Sequence, residues 1–110
     1  MARSPDPLEP KRCAELLSAL ASPDRLTIVR LLVQGEKNVT QITETLEIAP
    51  LNVSHHLNAL KHARLIESRK EGRFVFYSLC QGVIGEALEA GIPKSVLDLG
   101  CCQLLIPEKF

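Results

Sequence analysis

Cys101 and Cys102 are adjacent, and they belong to a set of four cysteines in a chain of 110 residues. Two neighbouring thiolates bind a soft thiophilic metal or metalloid ion such as trivalent arsenic, and a third cysteine completes a trigonal site. The same residue types suit a redox sensor. A structural zinc is excluded, because it needs four ligands at tetrahedral spacing and no Cys-x-x-Cys exists. Simple packing competes with both uses, since a free cysteine is often buried as a small hydrophobe. Cys13 shares an apolar helix face with Leu16, Leu17 and Leu20, and Cys80 ends a strand, where it reads as structural or spare.

A second constellation lies between Pro50 and His62, where the spacing predicts a helix. Steps of about 100° gather Val53, Leu57 and Leu60 on one narrow face. Leu51, His55, Asn58 and His62 fall opposite, with Asn52, Ser54 and Ala59 on the flanks and Lys61 at the edge. His56 is rotated toward the flank, where a hydrogen bond to the backbone of a neighbouring helix competes with DNA contact. A merely solvated helix carries Glu and Lys on its outer face. Short hydrogen-bonding side chains such as Asn, Ser and His instead suit the edges of DNA bases. The following segment, LIESRKEGRFVFYSL, has two β-prone halves that meet at Glu71-Gly72, with Gly72 supplying a positive φ. Its tip carries Arg69, Lys70 and Arg73, cations placed for phosphate.

These two features need a scaffold, and the rest of the chain supplies one. Helical spacing begins at Lys11. A second helix starts behind Ser22-Pro23, a cap oxygen followed by a residue that tolerates the first helical position. It would bury Leu26, Ile28, Val29, Leu31, Leu32 and Val33 and end near Gly35. Thr40 would cap a short third helix through Leu46, with Ile42 inward. Three helices, a polar-faced fourth and a basic-tipped hairpin make an α+β, mainly helical winged helix-turn-helix of four to five helices, whose fourth helix enters a major groove. The expected organisation is a flexible arm over 1–10, a DNA-binding domain over 11–80 and a C-terminal extension over 81–110 that packs on the core or a partner subunit.

Composition agrees with a small globular domain: hydrophobic residues are 45%, charged residues 24% and aromatics only 4%, so Leu, Ile, Val and Ala must fill the core. No apolar run is long enough to span a membrane. The N-terminus, MARSPDPLEPKR, lacks the apolar stretch of a secretion signal, which points to a cytoplasmic protein with reduced thiols. The 13 basic and 13 acidic residues cancel, yet residues 50–80 hold five cations against Glu67 and Glu71 together with all three histidines. The positive excess therefore sits on the segment that would face DNA.

LASPDRLTIVRLL and NVSHHLNALKHARLIESRKEGRFVFYSL, with their spacing, resemble the ArsR/SmtB (arsenic-repressor) family of bacterial winged-helix regulators, over roughly residues 11–80. The resemblance implies a homodimeric repressor that binds a double-stranded operator palindrome and is released by a metal ion, metalloid or thiol oxidant. By position it puts Asn52, Ser54, His55 and His56 on the DNA-reading helix and Arg69, Lys70 and Arg73 on the wing. Two of the family's sensing sites are missing: the third helix lacks Cys-x-Cys, and residues 82–90 contain no His. Cysteines near the chain ends, Cys13 and Cys101-Cys102, remain. The chain departs from the family pattern at Glu47 and Arg64, where Gly or another small residue is usual, and at Ala49 in place of a Ser cap. It departs most at the C-terminus. The usual long final helix is replaced by residues 82–90, two helical turns at most, and by SVLDLGCCQLLIP, which reads as an extended strand or irregular segment.

A winged-helix protein–protein module that has lost DNA binding is the alternative, to which the zero net charge lends weight. An enzyme is disfavoured, because neither a phosphate loop nor an acid/base pair can be traced.

Overall fold

The structure, a computed structural model, describes residues 9–89 and 92–106. The proline-rich arm expected over 1–10 lies almost wholly outside the described residues. Four helices come first, α1 (Pro10–Leu20), α2 (Pro23–Val33), α3 (Val39–Leu46) and α4 (Pro50–His62), with a two-residue strand β1 (Lys37–Asn38) between α2 and α3. The strands β2 (Ile66–Glu71) and β3 (Phe74–Leu79) form the hairpin, and β4 (Ile84–Glu89), β5 (Ile92–Asp98) and β6 (Gln103–Ile106) follow. None of the described helices is long and apolar enough to cross a membrane.

The helix boundaries follow local chemistry. Pro10, Pro23 and Pro50 each open a helix where a missing N–H costs nothing. Ser22 Oγ accepts from the Arg25 N–H. The cap of α3 is Asn38 rather than the expected Thr40: Asn38 Oδ1 accepts from the Gln41 N–H, and Gln41 Oε1 accepts from the Asn38 N–H, both at 2.9 Å. That reciprocal pair satisfies two donors, which a lone threonine at the second position of the helix would not. The end of α4 is a left-handed turn at Arg64 (φ 63°). There the Leu65 N–H reaches the Leu60 carbonyl and the Arg64 N–H reaches the Lys61 carbonyl, the double bond of a Schellman stop.

The core lies where α2, α3 and α4 meet, with Ile28, Val29, Ile42, Val53 and Leu57 fully buried. Leu60, Leu65 and Ile66 extend it from α4 into the hairpin. Two expected core residues face outward, Leu17 at 42% exposure and Leu26 at 43%. The apolar run of α2 is wider than the arc that its neighbours can cover, so its flanks stay near water.

The hairpin is antiparallel, with Ile66 opposite Leu79 and Glu71 opposite Phe74. Gly72 (φ 60°) and Arg73 form its two-residue tip. The wing sheet has three strands rather than two, because β1 adds to β3 with Lys37 opposite Tyr77.

The C-terminal region corrects one expectation. Of the residues 82–90 expected to make helical turns, Ile84–Glu89 form a strand. This strand, β4, pairs with β5 from Ile84↔Leu97 to Glu89↔Ile92, and β6 completes a second antiparallel sheet ordered β4-β5-β6. A two-turn helix carrying Gly85 would lack the length to stabilise itself, whereas a strand gains a full ladder. Leu97 and Leu99 join the main core, and Leu104 and Ile106 pack against it. Residues 99–102 form the turn between β5 and β6. Gly100 (φ 85°) gives its N–H to Asp98 Oδ1 at 2.8 Å, and the Leu99 N–H reaches the Cys102 carbonyl. The second sheet thus presents Cys101 and Cys102 at a tight turn.

Candidate nucleic-acid interface and thiol site

On α4 the buried stripe of Val53, Leu57 and Leu60 forces Asn52, Ser54, His55 and Asn58 outward, and all four are exposed. Leu51 stands beside them at 80% exposure. His56 turns away from this face, as its angular position implied. Its Nδ1 accepts from Arg25 Nε at 3.2 Å, and its Nε2 lies 3.5 Å from Asp24 Oδ2. A guanidinium only donates, so Nδ1 is the acceptor of that bond, and Nε2 is the ring nitrogen that faces Asp24. His56 fastens α4 to the start of α2. Lys61 is also engaged, donating from Nζ to Ser68 Oγ on β2 at 2.8 Å.

The wing carries its cations unequally. Arg69 Nη2 sits 2.7 Å from Glu36 Oε1, and Nη1 contacts a Glu71 carboxylate oxygen. Its guanidinium lies 5.1 Å from the centre of the Phe76 ring. The bond to Glu71, then that to Glu36, holds the guanidinium even more firmly protonated than usual. Lys70 and Arg73 are exposed and make no ion pair among the described residues. Glu36 could not be linked to Arg69 in advance, because 33 residues separate them. The Asp24–His56–Arg25 set is equally non-local.

The thiols converge. Cys13 of α1 and Cys101 of the β5–β6 turn form a disulfide across 88 residues, with their Cα atoms 5.8 Å apart. Cys102 keeps a free thiol whose Sγ lies 3.9 Å from Cys13 Sγ and 4.0 Å from Cys101 Sγ. All three sulfurs fall within 4.8 Å of one another and are half-buried. This is the trio of cysteines near the chain ends to which the resemblance pointed. In the oxidised form only one thiol is available. Opening the disulfide yields three thiolates, a donor set that fits a soft ion and not a hard one. Cys80 lies apart, and burial pushes its thiol above the ordinary value, with Glu67 adding to the effect.

An outward polar helix face, a hairpin wing with two free cations and a helix-turn-helix core define a winged-helix DNA-binding transcriptional regulator. Comparison with known proteins agrees. The model of the "bacterial regulatory protein, arsR family" matches residues 22–68. An uncharacterized HTH-type transcriptional regulator of Methanocaldococcus jannaschii is 35% identical over 80 residues, covering 72% of this chain and 90% of its own. The transcriptional repressor SdpR of Bacillus subtilis is 34% identical over 73 residues, covering 66% and 81%. The structure of HlyU from Vibrio cholerae superposes with a TM-score of 0.63 at 33% identity, covering 66% of this chain and 78% of that one. The chain belongs to the ArsR family of bacterial regulatory proteins. This kinship does not favour the protein–protein module.

Proposed function

We propose that the protein is a homodimeric transcriptional repressor whose hold on a double-stranded operator is governed by Cys13, Cys101 and Cys102. The observation that carries this reading is the meeting of three sulfurs within 4.8 Å, drawn from α1 and from the β5–β6 turn. In the reduced, ion-free protein, Asn52, Ser54, His55 and Asn58 read base edges, while Lys70 and Arg73 rest on phosphates. Closure of the Cys13–Cys101 bond, or capture of a thiophilic metal or metalloid ion such as trivalent arsenic, ties α1 to the C-terminal sheet and lowers DNA affinity. His56, Lys61 and Arg69 support the interface rather than read bases, because their polar atoms are already engaged by Arg25, Ser68 and Glu36. Repression, rather than activation, follows the named function of the SdpR relative.

The test is a mobility shift on the DNA upstream of the protein's own gene, with reductant, with diamide and with arsenite. The reduced protein should bind, and the other two conditions should release it. The double variant Cys101→Ser/Cys102→Ser should bind and ignore both additions. Release of that variant, or a wild type that never responds, overturns the thiol control.

A further inference from the structure

Between α1 and α4 runs a groove of about 720 Å³ that shares a wall with the outer face of α4. Its lining includes Arg12 and Glu15 of α1, Arg25 of α2, and His55, Asn58 and His62 of α4. Glu15, His55, Asn58 and His62 are exposed, so this is an open trough and not an enclosed cavity. A small molecule that binds well is usually buried over most of its surface, which a trough does not offer. An extended chain lying across the protein suits it better.

The chemistry of the lining points to an anion. The lining holds two guanidiniums and one carboxylate, together with imidazole and amide groups. Arg25 is partly spent on His56 Nδ1 and the Ala19 carbonyl, at 3.2 and 3.3 Å. Arg12 is nearly unspent: its Nη2 reaches the Ala63 carbonyl only at 3.5 Å, and it makes no ion pair among the described residues. A guanidinium with most of its N–H fork free matches the geometry of a phosphate. The position of the groove identifies the phosphate, because His55 and Asn58 belong both to its wall and to the outer face of α4. A duplex seated on that face brings its backbone past the trough. With Arg69 held by Glu36 and Glu71, the wing alone supplies few cations for a nucleic acid.

We propose that the α1–α4 groove is a second DNA-backbone site, in which Arg12, supported by Arg25, receives a phosphodiester flanking the base pairs read by α4. This rests on the DNA-binding reading of α4 and the wing. It also puts a phosphate contact one residue from Cys13, on the helix that the disulfide anchors.

The experiment measures operator affinity by fluorescence anisotropy across a salt series, with reductant, for wild type, Arg12→Gln, Arg12→Lys and Arg73→Ala. Loss of one phosphate contact from each protomer of the dimer should flatten the log–log salt slope by about 1.8, about 0.9 per contact, and weaken binding about 30-fold at about 0.15 M salt, whatever the sequence. Arg12→Gln should show this loss with an unchanged melting temperature, and Arg12→Lys should recover the slope. An Arg12→Gln slope equal to wild type, while Arg73→Ala loses its unit, overturns the groove site and leaves the DNA-binding reading standing. If neither wild type nor Arg73→Ala binds any duplex, that reading itself has failed. Inorganic phosphate is titrated calorimetrically without DNA. Saturable binding that disappears in Arg12→Gln, with no change in its DNA salt slope, would make this a free-anion site and overturn the proposal.

Discussion

Cys102 Sγ lies 3.9 Å from Cys13 Sγ although Cys13 is already bonded to Cys101. Both turn cysteines therefore stand within reach of the same partner on α1. The tight turn made by Gly100 and Asp98 brings them there side by side. Either can close a bond to Cys13 at little conformational cost. The variant Cys101→Ser treated with diamide should therefore form Cys13–Cys102, the two thiols giving two electrons and two protons to the diazene. Peptide mass mapping checks it. If Cys101→Ser yields no intramolecular bond, Cys102 is a bystander.

The disulfide joins residues 88 apart in the sequence, so almost the whole chain is one loop. Closing a loop of that length removes enough unfolded-chain entropy to add about 4–5 kcal/mol in the chain-entropy view, and measured values often fall below this. Denaturant unfolding should give a lower midpoint with reductant than without it. The same comparison in Cys13→Ser should show no difference. Equal midpoints for oxidised and reduced wild type would mean that the reduced C-terminal sheet holds α1 unaided.

The wing offers a graded test. Arg73 is free and Arg69 is paired with Glu36 and Glu71. Arg73→Ala should flatten the salt dependence of DNA binding by about one unit per protomer, and Arg69→Ala by clearly less. Glu36→Gln, which releases one arm of Arg69, should leave affinity unchanged or raise it. Equal slopes for the two arginine variants would show that DNA strips Arg69 from its carboxylates.

The helix-turn-helix and the hairpin were legible because their signals are local: Ser22-Pro23, the Val53–Leu57–Leu60 stripe and Gly72 each act within a few residues. The Cys101-Cys102 pair was legible from thiolate chemistry, and Cys13 joined it through the resemblance, which points to cysteines near the chain ends. Three things were not legible. The strand β4 draws its stability from β5, which its own composition does not announce. The Asn38–Gln41 capping box was hidden by the equally plausible Thr40. The engagement of Arg69 and His56 depends on side chains more than 30 residues away.

Arg64 was legible as an anomaly, and the structure gives it a cost. It holds φ 63° at the Schellman stop of α4, and its side chain is exposed. An L-residue in that region costs about 1–2 kcal/mol, part of which glycine returns as unfolded-state entropy. Arg64→Gly should raise stability by about 0.5–1 kcal/mol and leave the end of α4 where it is. Thermal unfolding decides it, and a lower melting temperature would mean that the arginine stem contributes more than the backbone loses.

The last prediction separates reading from positioning on α4. Asn52 and His55 project outward from the Val53–Leu57–Leu60 stripe, and neither makes a side-chain hydrogen bond among the described residues. If they contact base edges, Asn52→Ala and His55→Ala should each cost about 1–3 kcal/mol at particular base pairs and little elsewhere, with folding intact. His56 behaves differently, because its ring bridges Arg25 and Asp24. His56→Ala should lower stability by about 0.5–1.5 kcal/mol per lost hydrogen bond and weaken binding to every duplex alike, without altering the preferred sequence. Selection of operators from a random pool, run for all three variants, gives the distinction directly. A changed consensus for His56→Ala, or an unchanged one for both Asn52→Ala and His55→Ala, would mean that the reading face has been drawn on the wrong side of the helix.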